Sequence, residues 1–200
     1  MTEVPAAILI LAAGQSRRMR GADKMLELVA GDVLIRHQVL KAIFTGLPVW
    51  VALPPDRPLR GLALQGLDAT RIEVADAALG LSYSIKAGNA AVPLDYALIL
   101  WLADLPEIET SDLQMLVHAA NAAQDRIVRA TTDAGKPGHP VLIPAAFRAE
   151  LNHLTGDNGA REMLNRHQDS TVFVPLPANR ALTDLDTPED WAQWRSRVAR

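Results

Sequence analysis

Short apolar segments of strand length alternate along the chain with segments whose apolar residues recur at helical spacing. Ala6–Ala12, Pro48–Pro54 and Tyr96–Leu102 are almost uninterrupted apolar runs, as expected for central strands that are buried on both faces. Leu34–Phe44 places polar residues between apolar ones at helical spacing and ends before Gly46, which predicts an amphipathic helix. The alternation predicts an α/β protein with a mostly parallel sheet and helices on both faces.

The remaining predicted elements are shorter. Strands are predicted at 71–74, 126–130, 141–143 and 171–174, and helices at 82–91, 112–121, 147–153, 159–165 and from 188 onward. Ser111 and Thr187 are candidate N-caps, and residues 134–140 are predicted to form a Gly/Pro-rich loop. No repeat or clear linker interrupts the pattern, so we expect one domain spanning residues 1–200.

Three polar segments follow predicted strands, where open α/β sheets bind their ligands. The first is LAAGQSRRMRGADK, in which Gly14 allows a tight turn and close approach to a ligand. Ser16 and exposed amides suit phosphate oxygens, while Arg18 and Lys24 supply positive charge. The alternative interpretation is a solvated basic loop. The segment matches neither GxxxxGKS/T nor GxGxxG.

The second and third segments carry carboxylates. Asp104 follows the most apolar predicted strand, and Asp186 lies in TDLDTPEDW before the last helix. Together they suit Mg²⁺, which prefers oxygen ligands. Alternatively, Asp104 caps a turn and Asp186 caps the helix that begins at Pro188.

Two further polar groups have weaker signals. Gly80, Ser82 and Ser84 precede or begin a predicted helix and suit a base or ribose, although an ordinary N-cap fits equally. His139 lies in the predicted loop, and a polar turn contains the residues Asp157, Gly159 and Arg161. No HExxH or GxSxG is present, so zinc-protease and serine-hydrolase signatures are excluded.

The composition of the chain limits the classes of partner that we expect it to bind. The 200 residues are 49% hydrophobic with a formal net charge of −3, which disfavours a general nucleic-acid surface. The absence of cysteine excludes disulfides and thiolate sites. The first apolar run follows Thr2 and Glu3 rather than a basic segment, and no run approaches the roughly 20 residues of a membrane span. We therefore expect a cytoplasmic protein with no nucleic-acid or membrane partner.

The motifs together resemble the MobA-like nucleotidyltransferases. Residues 11–19, LAAGQSRRM, match the family's LAAGxSxRM signature, and Lys24 matches its lysine. LADLP, GLSYSIKAG, GHPVLIP, GDNGAREML and LDTPED follow in the expected order, from Ile8 to about Trp191. The set is most similar to the molybdenum cofactor cytidylyltransferase branch, to which Ala13 is also similar.

The resemblance implies a three-layer α/β/α, Rossmann-like fold of the nucleotidyltransferase (GT-A-like) type and Mg²⁺-dependent transfer of CMP from CTP to the phosphate of molybdopterin. It implies catalytic roles for Arg18, Lys24 and Asp104, a metal site at Asp104 and Asp186, and acceptor contacts at His139, Asp157, Gly159 and Arg161. The implied nucleotide-binding positions are Leu11, Ala12, Ala13, Gly14, Ser16, Arg18, Lys24, Gly80, Ser82, Ser84 and Asp104.

The chain departs from the family pattern at Arg20, where glycine is usual, and at Val33, where proline is usual. A long side chain at position 20 either adds positive charge for phosphate or crowds the loop. Alternative functions are nucleotidyl transfer from GTP or to a sugar or polyol phosphate, and a non-catalytic factor that passes molybdenum cofactor to a molybdoenzyme client.

Overall fold

The predicted strands and helices occur in the predicted order, together with a short hairpin at 28–33 and a short helix at 58–63 that the pattern did not predict. The computed structural model describes residues 4–123 and 125–198. Seven strands form the central sheet in the order β5-β4-β1-β6-β8-β7-β9, and β2 pairs with β3 in a separate hairpin. The strands are β1 (Ala6–Leu11), β2 (Leu28–Val29), β3 (Asp32–Val33), β4 (Val49–Leu53), β5 (Thr70–Glu73), β6 (Ala97–Leu102), β7 (Ile127–Thr131), β8 (Pro137–Ile143) and β9 (Thr171–Pro175).

Helices flank the sheet. The α-helices are α1 (Leu34–Ile43), α2 (Pro58–Ala63), α3 (Leu81–Ala91), α4 (Thr110–Ala122), α5 (Arg161–Arg166) and α6 (Pro188–Val198). Short 3₁₀ segments include Arg17–Met19, Lys24–Leu26, Ala77–Leu79, Ala145–His153 and Gly156–Asn158. In the described part of the chain, no helix is long and apolar enough to cross a membrane.

The alternation of side chains along β1 separates the core into two layers. Ile8 and Ile10 pack on one face with residues of α1, α4 and α6, whereas Leu9 and Leu11 pack on the other with residues of α3 and α5. All four of these β1 side chains are buried, which explains why the run is apolar throughout. Helices on both faces and a mostly parallel sheet confirm the predicted α/β fold.

Strand β8 corrects one prediction. Residues 134–140 were expected to form a loop, but β8 begins at Pro137 and lies antiparallel between β6 and β7. On the β6 side, pairing involves only Val141–Ile143, so proline's missing N–H costs no ladder hydrogen bond there. On the β7 side, Pro137 is the first residue of the strand and lies opposite Thr131, next to a register shift. His139 therefore lies on a strand.

Two helix starts also differ from prediction. Helix α4 begins at Thr110 rather than Asp112, and Asp112 accepts the Glu109 N–H at 2.9 Å, so Ser111 is not the N-cap. Helix α5 begins at Arg161, because Gly159 has a φ of +54° that a helix does not accommodate. The predicted cap of α6 is confirmed, since Asp190 N–H donates to Thr187 Oγ1 at 3.1 Å.

Two helical glycines test how tightly the helices pack. A Cβ on Gly88 of α3 would lie 2.1 Å from Leu9 Cδ2, whereas on Gly61 of α2 its nearest neighbour would be Leu53 at 3.9 Å. We expect Gly88→Ala to lower the free energy of unfolding by about 1–3 kcal/mol through overpacking. Gly61→Ala should instead raise it by up to about 1 kcal/mol through helix propensity. Urea denaturation measures both, and equal effects would contradict this packing.

Candidate functional site

The candidate site begins where β1 and β6 end side by side. Leu11 pairs with Leu102, and the Ala103 N–H donates to Leu11 O at 3.2 Å. This parallel pairing brings the segment after Leu11 next to Asp104, although they are about 90 residues apart in the chain. The structure thus brings together the first two polar segments predicted from the sequence.

The loop from Ala12 to Asp23 turns at residues other than the predicted one. Gly14 does not have a left-handed φ, and a Cβ there would meet no atom within 4 Å. The left-handed conformations belong to Ser16 and Arg20, each with φ of 52°, and to Gly21, with φ of 98°. Gly14 therefore leaves open space at the site instead of making the turn possible.

Lys24 lies at the centre of the site. Its Nζ donates to Asp104 Oδ2 at 2.5 Å and to Asp186 Oδ1 at 2.7 Å. Arg18 forms an ion pair with the other oxygen of Asp186. Only 10% of the Lys24 side chain is exposed, against 70% for Arg18, so one cation is fixed inside and the other faces solvent.

The charges of this cluster balance one another. Burial on its own would lower the pKa of Lys24, but the carboxylates of Asp104 and Asp186 outweigh it and raise the pKa. Burial raises the pKa of Asp184, and the neighbouring Asp104 and Asp186 charges raise it further. Lys24 is therefore held as a cation between Asp104 and Asp186, whose charges also act on Asp184.

One carboxylate oxygen of this cluster has no partner in the part of the chain that the structure describes. Asp104 Oδ1 is buried and has no hydrogen-bond partner among the described residues, so this oxygen is a free hard ligand. Among those residues, no three His, Cys, Asp or Glu side chains are grouped as a ready-made metal cage. Two carboxylates without a cage fit Mg²⁺, which keeps several waters and takes further oxygens from substrate phosphates.

An open cavity of about 400 Å³ lies over these groups. Predicted residues that line it are Leu11, Ala12, Ala13, Gly14, Ser16, Arg18, Lys24, Gly80, Ser84, Asp104, Asp157 and Asp186. Gln15, Arg17, Met25, Ala77, Ala78, Leu81 and Leu102, which the sequence reasoning did not single out, complete the lining. Ser82, His139, Gly159 and Arg161 do not line it, and Ser82 is fully buried.

Gly80 and Asp157 close one side of the cavity. Gly80 has a φ of +129°, and a Cβ there would lie 2.6 Å from the carbonyl of Gly156 and 2.7 Å from Asp157 Oδ1. The positive φ and the lack of space for a Cβ both require glycine at position 80. This contact explains how Asp157, predicted for the acceptor side, comes to face the same cavity as Gly80.

His139 lies beside the cavity rather than in it. Its Nδ1 is 3.4 Å from Leu100 O, and burial lowers its pKa to about 4 with the nearby Arg129 charge acting in the same direction. Burial also lowers the pKa of Arg129, as does the charge of Arg161. Arg129, which sequence reasoning missed, thus lies near both His139 and Arg161, so that positive charge surrounds a neutral imidazole.

Helix α1 supports the Asp104 turn with side chains that local sequence patterns do not reveal. Gln38 Nε2 donates to Leu105 O at 2.7 Å, and Lys41 Nζ donates to Pro106 O at 3.0 Å and Ile108 O at 2.8 Å. Both side chains are buried. The only sign of these two residues in the sequence is that a polar side chain falls on the buried face of an amphipathic helix.

Arg20 neither crowds the cavity nor adds charge to it. Its guanidinium pairs with Glu189 Oε1 at 2.7 Å, on the first turn of α6, and both side chains are mostly exposed. Its left-handed φ is a conformation that glycine adopts freely.

Known proteins are similar to this chain in sequence and in fold. The model of the MobA-like NTP transferase domain matches residues 8–171. The molybdenum cofactor guanylyltransferase of Bradyrhizobium sp. (strain ORS 278) is 30% identical over 201 residues, covering 96% of this chain and 92% of that protein. The bifunctional protein GlmU of Pseudomonas putida is 32% identical over 183 residues, covering 86% of this chain but only 38% of that longer protein.

Solved structures agree on the fold. Rv0371c from Mycobacterium tuberculosis H37Rv superimposes with a TM-score of 0.83 at 21% identity, covering 98% of this chain and 100% of that chain. A structure of Rv0371c in complex with manganese gives a TM-score of 0.77 at 20% identity, covering 94% and 96%. The chain therefore has an α/β fold that is shared along its whole length.

The low pKa of His139 predicts how stability varies with pH. As pH falls from 6.5 toward about 4, the unfolded state binds a proton on this histidine while the folded state does not. The free energy of unfolding should therefore fall by up to about 1.4 kcal/mol per pH unit on account of this residue. His139→Gln should flatten the decline relative to the unmodified protein in urea titrations at several pH values. Parallel declines would contradict a buried, neutral His139.

Proposed function

The chain belongs to the MobA-like NTP transferase family, and on that premise we propose that it transfers CMP from CTP to the phosphate of molybdopterin, with release of pyrophosphate. The proposal depends on one observation above all. Lys24, the family's lysine, bridges Asp104 and Asp186 beside a cavity lined by the loop from Ala12 to Asp23, which we call the signature loop. Cations, carboxylates and exposed backbone at one place are what a nucleoside triphosphate with its metal requires.

The signature loop is the proposed triphosphate site. Backbone N–H groups around Gly14 and the Ser16 hydroxyl suit phosphate oxygens, and Arg18 is exposed enough to turn toward them. Lys24 supplies a compact, fully charged ammonium. The base and ribose then lie toward Gly80, Ser84 and Asp157, on the other side of the cavity.

Asp104 and Asp186 are the residues that would hold Mg²⁺. The free Oδ1 of Asp104 and the small number of carboxylates support this assignment. When bound, the ion supplies positive charge that offsets the repulsion between two anionic substrates. Mg²⁺ itself is part of the proposal, and the manganese bound by Rv0371c supports a divalent ion at this fold.

The proposed reaction requires the protein to position the two substrates and to stabilise the developing charge. An oxygen of the acceptor phosphate forms a bond to the α-phosphorus of CTP while the bond from that phosphorus to the bridging oxygen breaks, and pyrophosphate leaves with the electron pair. The acceptor phosphate is already ionised, so no general base is needed. Arg18 and Lys24 stabilise the charge that develops on the leaving pyrophosphate.

The acceptor is proposed to approach over β7 and β8. Arg129, His139 and Arg161 place positive charge and a polar ring beside the cavity, while Asp157 and Gly159 form the adjoining turn. An anionic phosphate bound there would lie next to the triphosphate site. This arrangement supports two substrates bound side by side, as an in-line transfer requires.

Guanylyl transfer is the second candidate. The relative from Bradyrhizobium that spans nearly the whole chain is a guanylyltransferase. The similarity of Ala13 to the CTP-using branch favours cytidylyl transfer instead. Both reactions use the same triphosphate and metal groups, so the choice between them lies in the part of the cavity that receives the base.

Nucleotide choice is tested by incubating the full-length protein with Mg²⁺, molybdopterin and CTP, GTP, UTP or ATP. We expect pyrophosphate release with CTP at least about tenfold faster than with the other nucleotides, since one well-made base contact contributes that much. Fastest release with GTP would replace the cytidylyl proposal by guanylyl transfer. Release only with a sugar phosphate as acceptor would overturn the molybdopterin assignment.

The assigned roles predict the effect of substitution. We expect Lys24→Met and Asp104→Asn to lower the rate of pyrophosphate release at least about a hundredfold, as loss of a preorganised charge does elsewhere. Arg20→Met is the matched control, because Arg20 is a cation of the same loop that pairs with Glu189 outside the cavity. A full rate for either site variant, or an equal loss for the control, would contradict the roles.

A further inference from the structure

Arg60, on α2, has a fully buried side chain that contacts the signature loop at three places. Its Nε and Nη2 donate to the two carboxylate oxygens of Asp23, each at 2.8 Å. Its Nη1 donates to Ala12 O at 2.6 Å, and Nη2 also reaches Ser16 Oγ at 3.2 Å. Its exposed fraction is 0%, and it does not line the cavity. All three nitrogens of one guanidinium are thus used on a single loop.

Asp23 connects this guanidinium to Lys24. Asp23 Oδ1 accepts the Met25 N–H at 3.0 Å and the Ser16 hydroxyl at 3.2 Å, and the Lys24 N–H in turn donates to Ser16 Oγ at 3.3 Å. Burial alone would raise the pKa of Asp23, but the hydrogen bonds and charge of Arg60 outweigh it and lower the pKa. The carboxylate therefore stays ionised and keeps its bonds to Arg60, Met25 and Ser16.

The contacts of Arg60 lie at both ends of the loop. Ala12 is the residue at which β1 has just ended, and Asp23 directly precedes Lys24. Between them the backbone adopts a left-handed conformation at Ser16, which costs about 1 kcal/mol for a residue other than glycine and must be held by its surroundings. Arg57, at the start of the same helix, adds a bond to Gln15 O at 3.2 Å. Helix α2 is therefore the frame on which the loop is fixed.

We infer that Arg60 is a positioning residue for nucleotide binding: by clamping Ala12, Ser16 and Asp23 it fixes the signature loop in the shape that presents its amides, Arg18 and Lys24 to the triphosphate. This inference deepens the proposed function and rests on it for the identity of the ligand. A bidentate arginine is suited to the task, because its planar fork fixes direction as well as distance. Lysine at position 60 would keep the charge and lose the fork.

Arg148 is a matched control within the same chain. It is also fully buried, and its guanidinium donates to the carbonyls of Asn89, Val92, Pro93 and Tyr96. These carbonyls lie between the end of α3 and the start of β6, at the end of the sheet away from the cavity. Replacing either guanidinium should lower the free energy of unfolding by a comparable amount. Only the replacement at position 60 should alter the signature loop.

The test compares Arg60→Lys with Arg148→Lys in the full chain, well below the unfolding temperature of each. Calorimetry with CTP or GTP and Mg²⁺ should show affinity reduced at least about tenfold for Arg60→Lys, as for loss of a charge-assisted hydrogen-bond network. Arg148→Lys should bind as the unmodified protein does.

In parallel, trypsin should cut after Arg17, Arg18 or Arg20, which are exposed, at least about tenfold faster in Arg60→Lys than in Arg148→Lys, since local opening sets such rates.

The two readouts separate the inference from the proposed function. If the unmodified protein binds neither nucleotide, the proposed function fails, and trypsin cleavage alone decides whether Arg60 fixes the loop. Equal affinity and equal cleavage in the two variants would overturn the inference. Should Arg60→Lys not fold, the double variant Arg60→Met, Asp23→Asn takes its place, because it removes both buried charges. We expect this double variant to show the same loss of affinity and the same faster cleavage. Affinity and cleavage equal to those of Arg148→Lys would again overturn the inference.

Discussion

Three segments that are far apart in the chain meet at the ammonium group of Lys24. The first follows β1, the second follows β6 with Asp104, and the third precedes α6 with Asp186. Two carboxylates at the same edge of a sheet repel each other unless a cation lies between them. Lys24 is that cation in the structure, and the raised pKa of Lys24 reflects the strength of the attraction. The shape of the site follows from this charge balance.

Buried polar side chains on two helices hold the site's loops in place. From α1, Gln38 and Lys41 bind carbonyls of the turn that carries Asp104, and from α2, Arg60 binds the loop that carries Lys24. Burying such groups is unfavourable unless each finds hydrogen-bond partners. Here the partners are backbone carbonyls and the carboxylate of Asp23, so the bonds that compensate the burial also fix the two loops.

Residue patterns predicted most of the elements because burial on both faces of a sheet requires continuous apolar runs. β1 and β6 were recognisable for that reason, and the polar residues at their carboxyl ends identified Gly14, Ser16, Arg18, Lys24 and Asp104 of the cavity lining. The family resemblance, rather than the pattern, pointed to Leu11, Ala12 and Ala13. The start of β8 was missed because glycine and proline are typical of loops. Its partner Thr131 on β7 is near in sequence, but a register shift between Arg129 and Thr131 breaks the regular hairpin pattern. Arg60 was missed because an ion pair across 37 residues leaves no local pattern.

The central claim is that Lys24, Asp104 and Asp186 form the triphosphate and metal site. A crystal structure with Mn²⁺ and a non-hydrolysable CTP or GTP analogue tests it most directly, because the anomalous signal of manganese locates the ion independently of any fitted geometry. The account predicts manganese bound by Asp104 and Asp186, with the Lys24 ammonium within hydrogen-bond distance of a phosphate oxygen. Manganese and phosphates bound elsewhere, with Lys24 still bridging the two carboxylates, would contradict it.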